Sequence, residues 1–478
     1  MSKKLIWRLV IGVLVVWLVG SRITTHVQSK ALLADLKSGS PEVQVKAVEK
    51  LMVRDRLFDR MQQLTPKERL KVMDAVDKAE ARNAFRQIQI LLKDADPDVH
   101  ARAAESLAKR GRSDLKQLVA SLRDTDENVR SGAKDALVEI GEPALPLIKE
   151  AAEDTELKGH AFEVLLRVAE PAVPTLVELM KTGELDIRMT AADTLAKIGD
   201  KSATPALIET AAKDVPAVRR IAISSLCTLG DPRAEDLLIQ VLGNTNDDGE
   251  VRARAARALS VIGGPKSIAA LTRALGDYDL KVQTSVITGL QSKAIASQSV
   301  APVMSAISSG TPQVRRAGAS VLEQIDNPQS AAGLVSLLKY PDPEVRLSAA
   351  RGLGNQTASV RGDVLVSLLS DADGRVADAA ADSLVRVGTS VIPTLVGVIK
   401  SGAQSQAKFR AATALGRIGS PAVPALQAQI GVGGETGRWA AYALGLTGDP
   451  GAKPTLERFA SSSDPDMRWV VERALTQL

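Results

Sequence analysis

Cysteine, histidine and aromatic residues are all scarce in this chain of 478 residues. The single cysteine, Cys227, excludes an intramolecular disulfide and a cysteine-based metal cluster. It reads as a small buried hydrophobe. Only three histidines are present, His26, His100 and His160, which leaves little for metal ligation or imidazole acid–base chemistry. Four Trp, three Tyr and five Phe are too few to line a sugar site or to fill a β-sandwich, although 45% of the residues are hydrophobic. The core must therefore be built from Ala, Leu, Val and Ile, which suits closely packed helices.

An excess of charge is also missing from most of the chain. The formal charge is +5, but residues 1–30 hold Lys3, Lys4, Arg8, Arg22 and Lys30 and no acid. Residues 31–478 are left with 56 basic and 56 acidic side chains. A neutral body excludes the broad basic footprint of a nucleic-acid-binding protein, and no nucleic-acid partner is expected.

The basic start frames the longest apolar run, Leu9 to Gly20. With Arg8 and Arg22 snorkelling, a helix from Leu5 to Ile23 has 19 residues, just enough to cross a hydrocarbon core. Lys3, Lys4, Trp7, Arg8, Trp17 and Arg22 are the expected anchor residues, with the tryptophans at interfacial spacing. A cleavable signal peptide is the competing reading, with Val19-Gly20-Ser21 as its small-residue site. A buried amphipathic helix is the third. The missing A-x-A pattern favours the anchor. Either leading reading exports residues 31–478, and the near-terminal lysines favour an N-inside, single-pass topology with the body outside the cytoplasm, periplasmic if the source is bacterial.

The rest of the chain repeats itself. DADPDVHARAAESLAKRG at 94–111, DTDENVRSGAKDALVEIG at 124–141 and NDDGEVRARAARALSVIG at 246–263 are three copies. Taking the residue before the Arg as the anchor gives Val99, Val129, Leu157, Ile187, Val218, Val251, Val282, Val314, Val345, Val376, Ala407, Thr436 and Met467. Their spacing stays between 28 and 33 residues. Val43 starts an earlier copy and a degenerate one lies near Leu70. Within a copy the apolar residues fall on one helical face, as Val251, Ala255, Leu259 and Ile262 do. Gly141, Gly199, Gly230, Gly263, Gly388 and Gly419 follow that helix at its C′ position. Prolines then open a second, shorter helix, as in Pro143-Ala144-Leu145-Pro146. The expected fold is all-α: an α-solenoid superhelix of about 14–15 antiparallel helix pairs with a period of about 31 residues. Residues 1–30 form the anchor, 31–93 a cap of degenerate repeats, and 94–478 the solenoid.

The D-x-D-x-x-V-R-x-x-A-x-x-x-L-x-x-I-G unit followed by P-A-V-P-x-L resembles the HEAT repeat, in the short variety of phycobilisome-lyase-type proteins. The resemblance implies that the Val-Arg helix is the inner one. It also implies a structural ladder in which the Arg pairs with turn acids: Arg130, Arg188, Arg219, Arg252, Arg315, Arg346 and Arg468. Lys158 and Lys408 substitute conservatively, while His100, Gln283, Ala377 and Gly437 depart. An anion-binding row is the alternative use of these arginines, which the balancing acids disfavour.

Chemistry finds few footholds. Di-iron hydroxylases of this repeat class use His-Glu dipeptides, and the three histidines here precede Val, Ala and Ala. No catalytic residue, metal, cofactor or small-molecule substrate is expected. Positions three, seven and ten after the anchor, for example Thr190 and Thr194 or Ser348 and Gly352, are expected on the concave surface. There they either permit tight curvature or offer a smooth groove. The position six after the anchor is acidic early (Glu105, Asp135, Glu163, Asp193) and basic later (Arg257, Arg351, Arg473). Near the C-terminus, Trp439, Tyr442, Phe459 and Trp469 lie within 31 residues. Arg410, Arg438, Trp439, Tyr442 and Trp469 are the candidate partner-binding residues, since Trp, Tyr and Arg dominate interface hot spots. A bulky cap over the last repeats is the alternative. The expected function is a membrane-anchored, non-enzymatic, protein-binding scaffold. The alternatives are a soluble adaptor released by signal cleavage, or a lyase-like or chaperone protein that handles a cofactor.

Overall fold

In the computed structural model the described residues are 30–53, 56–79, 84–356 and 362–478. The anchor residues Lys3, Lys4, Trp7, Arg8, Trp17 and Arg22 lie outside them. The chain forms two compact units, Met1–Leu229 and Gly230–Leu478. Among the described residues there is no strand. Each unit is an α-solenoid of stacked helix pairs.

One helix of each pair carries the Val-Arg dipeptide and is here called the V helix; the other is the P helix. The D-x-D turn builds the start of the V helix with a division of labour. The first Asp accepts the backbone N–H of the second, as Asp124 does from Asp126 at 2.9 Å and Asp371 from Asp373 at 2.9 Å. The second Asp is the N-cap. Asp126 accepts from Asn128 N at 3.0 Å and Asp373 from Arg375 N at 2.9 Å.

The V helix stops where the chain takes a positive φ. Gly141, Gly199, Gly230, Gly263, Gly388 and Gly419 all lie there, at +56° to +83°. Ala169 occupies the same position in its repeat at +63°. A 3₁₀ turn then buries one alanine, as in Glu142–Ala144, Glu170–Ala172, Lys201–Ala203 and Ser420–Ala422. A proline in the first turn of the P helix follows it, as in Leu145–Glu153 and Val423–Ile430.

Position seven after the anchor, and position three in several repeats, do not line an open surface, whereas Thr190 and Ile221 at position three are half-buried. Thr194, Ser225, Ser285, Gly289, Ala317, Val321, Ser348 and Gly352 are buried. Adjacent V helices press on them. Ser225 donates its hydroxyl to Ala192 O and Ser383 to Ala350 O, both at 2.8 Å on the neighbouring V helix. A Cβ on Gly352 would stand 2.9 Å from Glu323 Cα. Small side chains here let helix backbones approach, and hydroxyls find a carbonyl where water is absent. At those two positions the open face is offset by one residue, whereas position ten lies on it. In Gly374–Val387, Asp378, Asp382 and Arg386 are exposed, at positions two, six and ten.

One described stretch, Gly374–Lys400, is long and apolar enough to cross a membrane by length and composition. It consists of two helices of the solenoid, Gly374–Val387 and Ile392–Lys400, parted at Gly388 with φ +83°. Cys227 is half-buried, short of the full burial expected for it.

Candidate functional site

The ladder position has a recurrent task. In most repeats its side chain satisfies carbonyls at the end of the preceding P helix or in the turn that follows, which have no intrahelical partner. Arg130 donates to Asp124 O at 2.7 Å and Thr125 O at 3.0 Å. Arg188 reaches Gly183 O at 3.0 Å, Arg219 Ala211 O at 2.8 Å, Arg252 Thr245 O at 3.0 Å, Arg346 Tyr340 O at 2.7 Å and Arg468 Ser462 O at 2.5 Å. His100 and Gln283, which depart from the Arg pattern, do the same work through Leu92 O at 2.8 Å and Leu275 O at 2.9 Å.

A second task falls to a subset. Arg188 grips Asp214 through two 3.0 Å bonds, and Arg346 grips Asp371 through two 2.8 Å bonds. Arg252, fully buried, donates to Asp277 at 3.0 Å and lies 4.9 Å from the Tyr278 ring centroid. Each acid is the first Asp of the next turn, so the pair ties one repeat to the following one. Arg315 has an aromatic partner instead, 5.8 Å from the Tyr340 ring. The guanidiniums are thus engaged within the fold.

Two ladder residues escaped the sequence pattern. Arg69 donates to Leu64 O at 3.0 Å and pairs with Asp94 at 3.0 Å. Arg438 pairs with Asp464 at 3.3 Å and Asp466 at 2.8 Å. This corrects the anchor in that repeat from Thr436 to Gly437, which is buried. Gly437 has no room for a side chain, since a Cβ would stand 2.8 Å from Ile430 O and from Met467 Cε. Arg438, a partner-binding candidate by sequence, is therefore a rung of the ladder.

The corrected register exposes a pattern. Phe409, Trp439 and Trp469 occupy the same position, two after the anchor, in three consecutive V helices: Ser405–Ile418, Gly434–Leu446 and Pro465–Leu475. Phe409, Trp439 and Tyr442 form a cluster with ring centroids 5.8–6.3 Å apart, two of the three pairs edge-to-face. Phe409 is 46% and Trp469 62% exposed, and Trp439 and Tyr442 are half-buried. Trp469 packs against Arg473, 5.8 Å from its ring. Beneath the cluster Lys408 donates to Glu435 at 2.6 Å, and Trp439 Nε1 donates to the same carboxylate at 3.3 Å. These two bonds, Lys408 first, hold the Glu435 carboxyl below its ordinary pKa. Arg410 is fixed to Asp378 at 2.7 Å. Of the partner-binding candidates, the structure brings Trp439 and Tyr442 together and places Trp469 one repeat on. It adds Phe409, which a thirty-residue alignment of 409, 439 and 469 would have revealed.

The early acids six after the anchor are paired on the surface. Glu105 meets Lys109 at 2.9 Å, Asp135 meets Arg167 at 2.8 Å, Glu163 meets Lys134 at 2.7 Å and Asp193 meets Lys197 at 2.7 Å. Among the described residues no group of three or more His, Cys, Asp or Glu is placed to hold a metal ion.

The family model for HEAT repeats matches residues 87–159, 144–226, 213–291, 300–384 and 362–433. No curated protein matches the sequence. Similar solved structures include Kap121p bound to Pho4p, at 14% identity and a TM-score of 0.46, covering 90% of this chain and 57% of that one. Kap121p bound to RanGTP is similar at 15% identity and a TM-score of 0.46, covering 91% and 56%. The chain spans little more than half the length of those structures.

Proposed function

The chain belongs to the HEAT-repeat family, and we propose that it works as a non-enzymatic scaffold that binds proteins. The observation that carries this reading is the aromatic row of Phe409 and Trp469, both exposed, and the half-buried Trp439, with Tyr442 beside it. A chain with only twelve aromatic residues places four of them on one face of three consecutive helices. Water-facing aromatic area of this kind is costly unless covered, and Trp and Tyr are the side chains that dominate binding hot spots. The ladder arginines and turn aspartates, the most regular charged residues of the repeat, are occupied in holding helix to helix.

The N-terminal run anchors this scaffold in a membrane by its 19 apolar-centred residues, with the body outside the cytoplasm. The 28–33-residue spacing, short for a helix pair, favours the phycobilisome-lyase-type variety of the repeat. Two experiments test these readings. Trp439→Ala combined with Tyr442→Ala is expected to remove the protein partners that co-purify with the full chain, and an unchanged partner set would remove this face from the account. N-terminal sequencing of the mature protein is expected to find Met1 or Ser2, whereas a start after Ser21 would establish cleavage.

A further inference from the structure

A second feature of the Gly230–Leu478 unit lies outside the aromatic row. A cavity of about 380 Å³ opens on the exposed face of three consecutive V helices, Pro312–Glu323, Pro343–Asn355 and Gly374–Val387. Three of its six charged residues are already committed to partners beyond its walls. Asp378 is held by Arg410 at 2.7 Å and Asp382 by Arg417. Arg375 is held by Glu344 at 2.7 Å and Asp373 at 2.8 Å. Two guanidiniums remain. Arg386 donates one N–H to Ser383 Oγ at 3.0 Å. Arg351 has no ion-pair or hydrogen-bond partner among the described residues. The one remaining acid is Glu323, half-buried at the edge of the cavity. Burial pushes its carboxyl pKa up, while a hydrogen bond with Ser348 and the charges of Arg351 and Arg386 act the other way, so its charge is shared between two guanidiniums.

We propose that this cavity is a carboxylate-binding site that takes acidic side chains from an Asp/Glu-rich segment of a partner protein. Charge complementarity identifies the occupant: Arg351 and Arg386 present planar forks that match a carboxylate with two parallel hydrogen bonds. Asn355, exposed at the rim, adds amide donors. The volume admits one or two side chains and the backbone between them, not a folded domain. The inference rests on the scaffold reading above, but needs nothing from the aromatic row.

The test titrates fluorescently labelled hexaglutamate into the full chain at about 0.15 M salt, where exposed charges are screened beyond about 8 Å. Hexaserine is the neutral probe and citrate the small-anion probe. Hexaglutamate is expected to bind and hexaserine not. Arg351→Gln and Arg386→Gln should each weaken binding roughly tenfold with unchanged thermal unfolding. Glu323→Gln should tighten it, while Glu178→Gln, the same charge change in the other unit, should leave it unaltered. No preference for hexaglutamate, or unchanged affinity in both arginine variants, would overturn the site. Citrate binding as tight as hexaglutamate would overturn the peptide assignment in favour of a free small anion. Loss of partners on mutating Trp439 and Tyr442 is a separate result, so this site and the scaffold reading can fail independently.

Discussion

Arg346 and Asp371, twenty-five residues apart, meet through two parallel hydrogen bonds of 2.8 Å. The same guanidinium donates to Tyr340 O and Pro341 O, at 2.7 and 3.0 Å, in the turn before its own helix. One side chain thereby closes a turn within its repeat and fixes the next repeat against it. Lateral ties of this kind supply what a helix pair lacks alone, since stability in a solenoid is largely a sum of repeat and interface contributions.

The Arg346 hydrogen bonds hold the Asp371 carboxyl below its ordinary pKa. A carboxyl depressed in the folded state lends stability that is complete above its unfolded value, about 3.9, and is lost as pH falls through the folded value. Asp371→Asn is therefore expected to lower the urea midpoint at pH 7, with the deficit closing as the pH drops below about 4. Urea titrations of both proteins across pH 2–7 measure this, and a deficit independent of pH would contradict it.

Glu323 gives the opposite sign. Burial raises its folded pKa, so ionisation above the unfolded value of about 4.3 works against the fold. Glu323→Gln should stabilise the chain at pH 7, and the gain should vanish below about pH 4. The same set of urea titrations reads it.

The Arg252–Asp277 pair is the most deeply buried of the ladder, with 0% and 5% of the two side chains exposed. Removing only Asp277 would strand a buried guanidinium. Asp277→Ala is expected to cost roughly 3–5 kcal/mol, more than Asp193→Ala, whose partner Lys197 is a surface residue. Equal losses in denaturant unfolding would show that burial is not what makes the ladder matter.

Ala169 sits at φ +63° and ψ −128°, nearly the conformation of Gly141 at +68° and −132°. A Cβ is strained in that region, where glycine is not. Ala169→Gly should stabilise the protein by about 1 kcal/mol, and Gly141→Ala should destabilise it by at least as much. Differential unfolding of the two variants measures both.

Much of this was legible in the sequence because its causes are local. The V-helix glycines, the capping aspartates and the prolines of the P helix each act within a few residues, so their spacing declares the helix pair. What escaped depends on neighbours about thirty residues away. Gly437 offers no apolar anchor, so the sequence pattern points to Thr436 and leaves Arg438 out of the ladder. Thr194 and Gly352 looked like surface lining because the helix period cannot say which flank meets the adjacent V helix. Phe409 and Trp439 became a cluster only once those helices were side by side.

The central claim is that the aromatic face binds a protein, and a photocrosslinking amino acid placed at Trp469 in the full-length chain tests it most directly. A matched probe at Val335, exposed on the P helix Pro328–Leu337, serves as the reference. The account predicts a defined protein adduct from position 469 and none from 335. The same adducts from both positions, or none from 469, would contradict it.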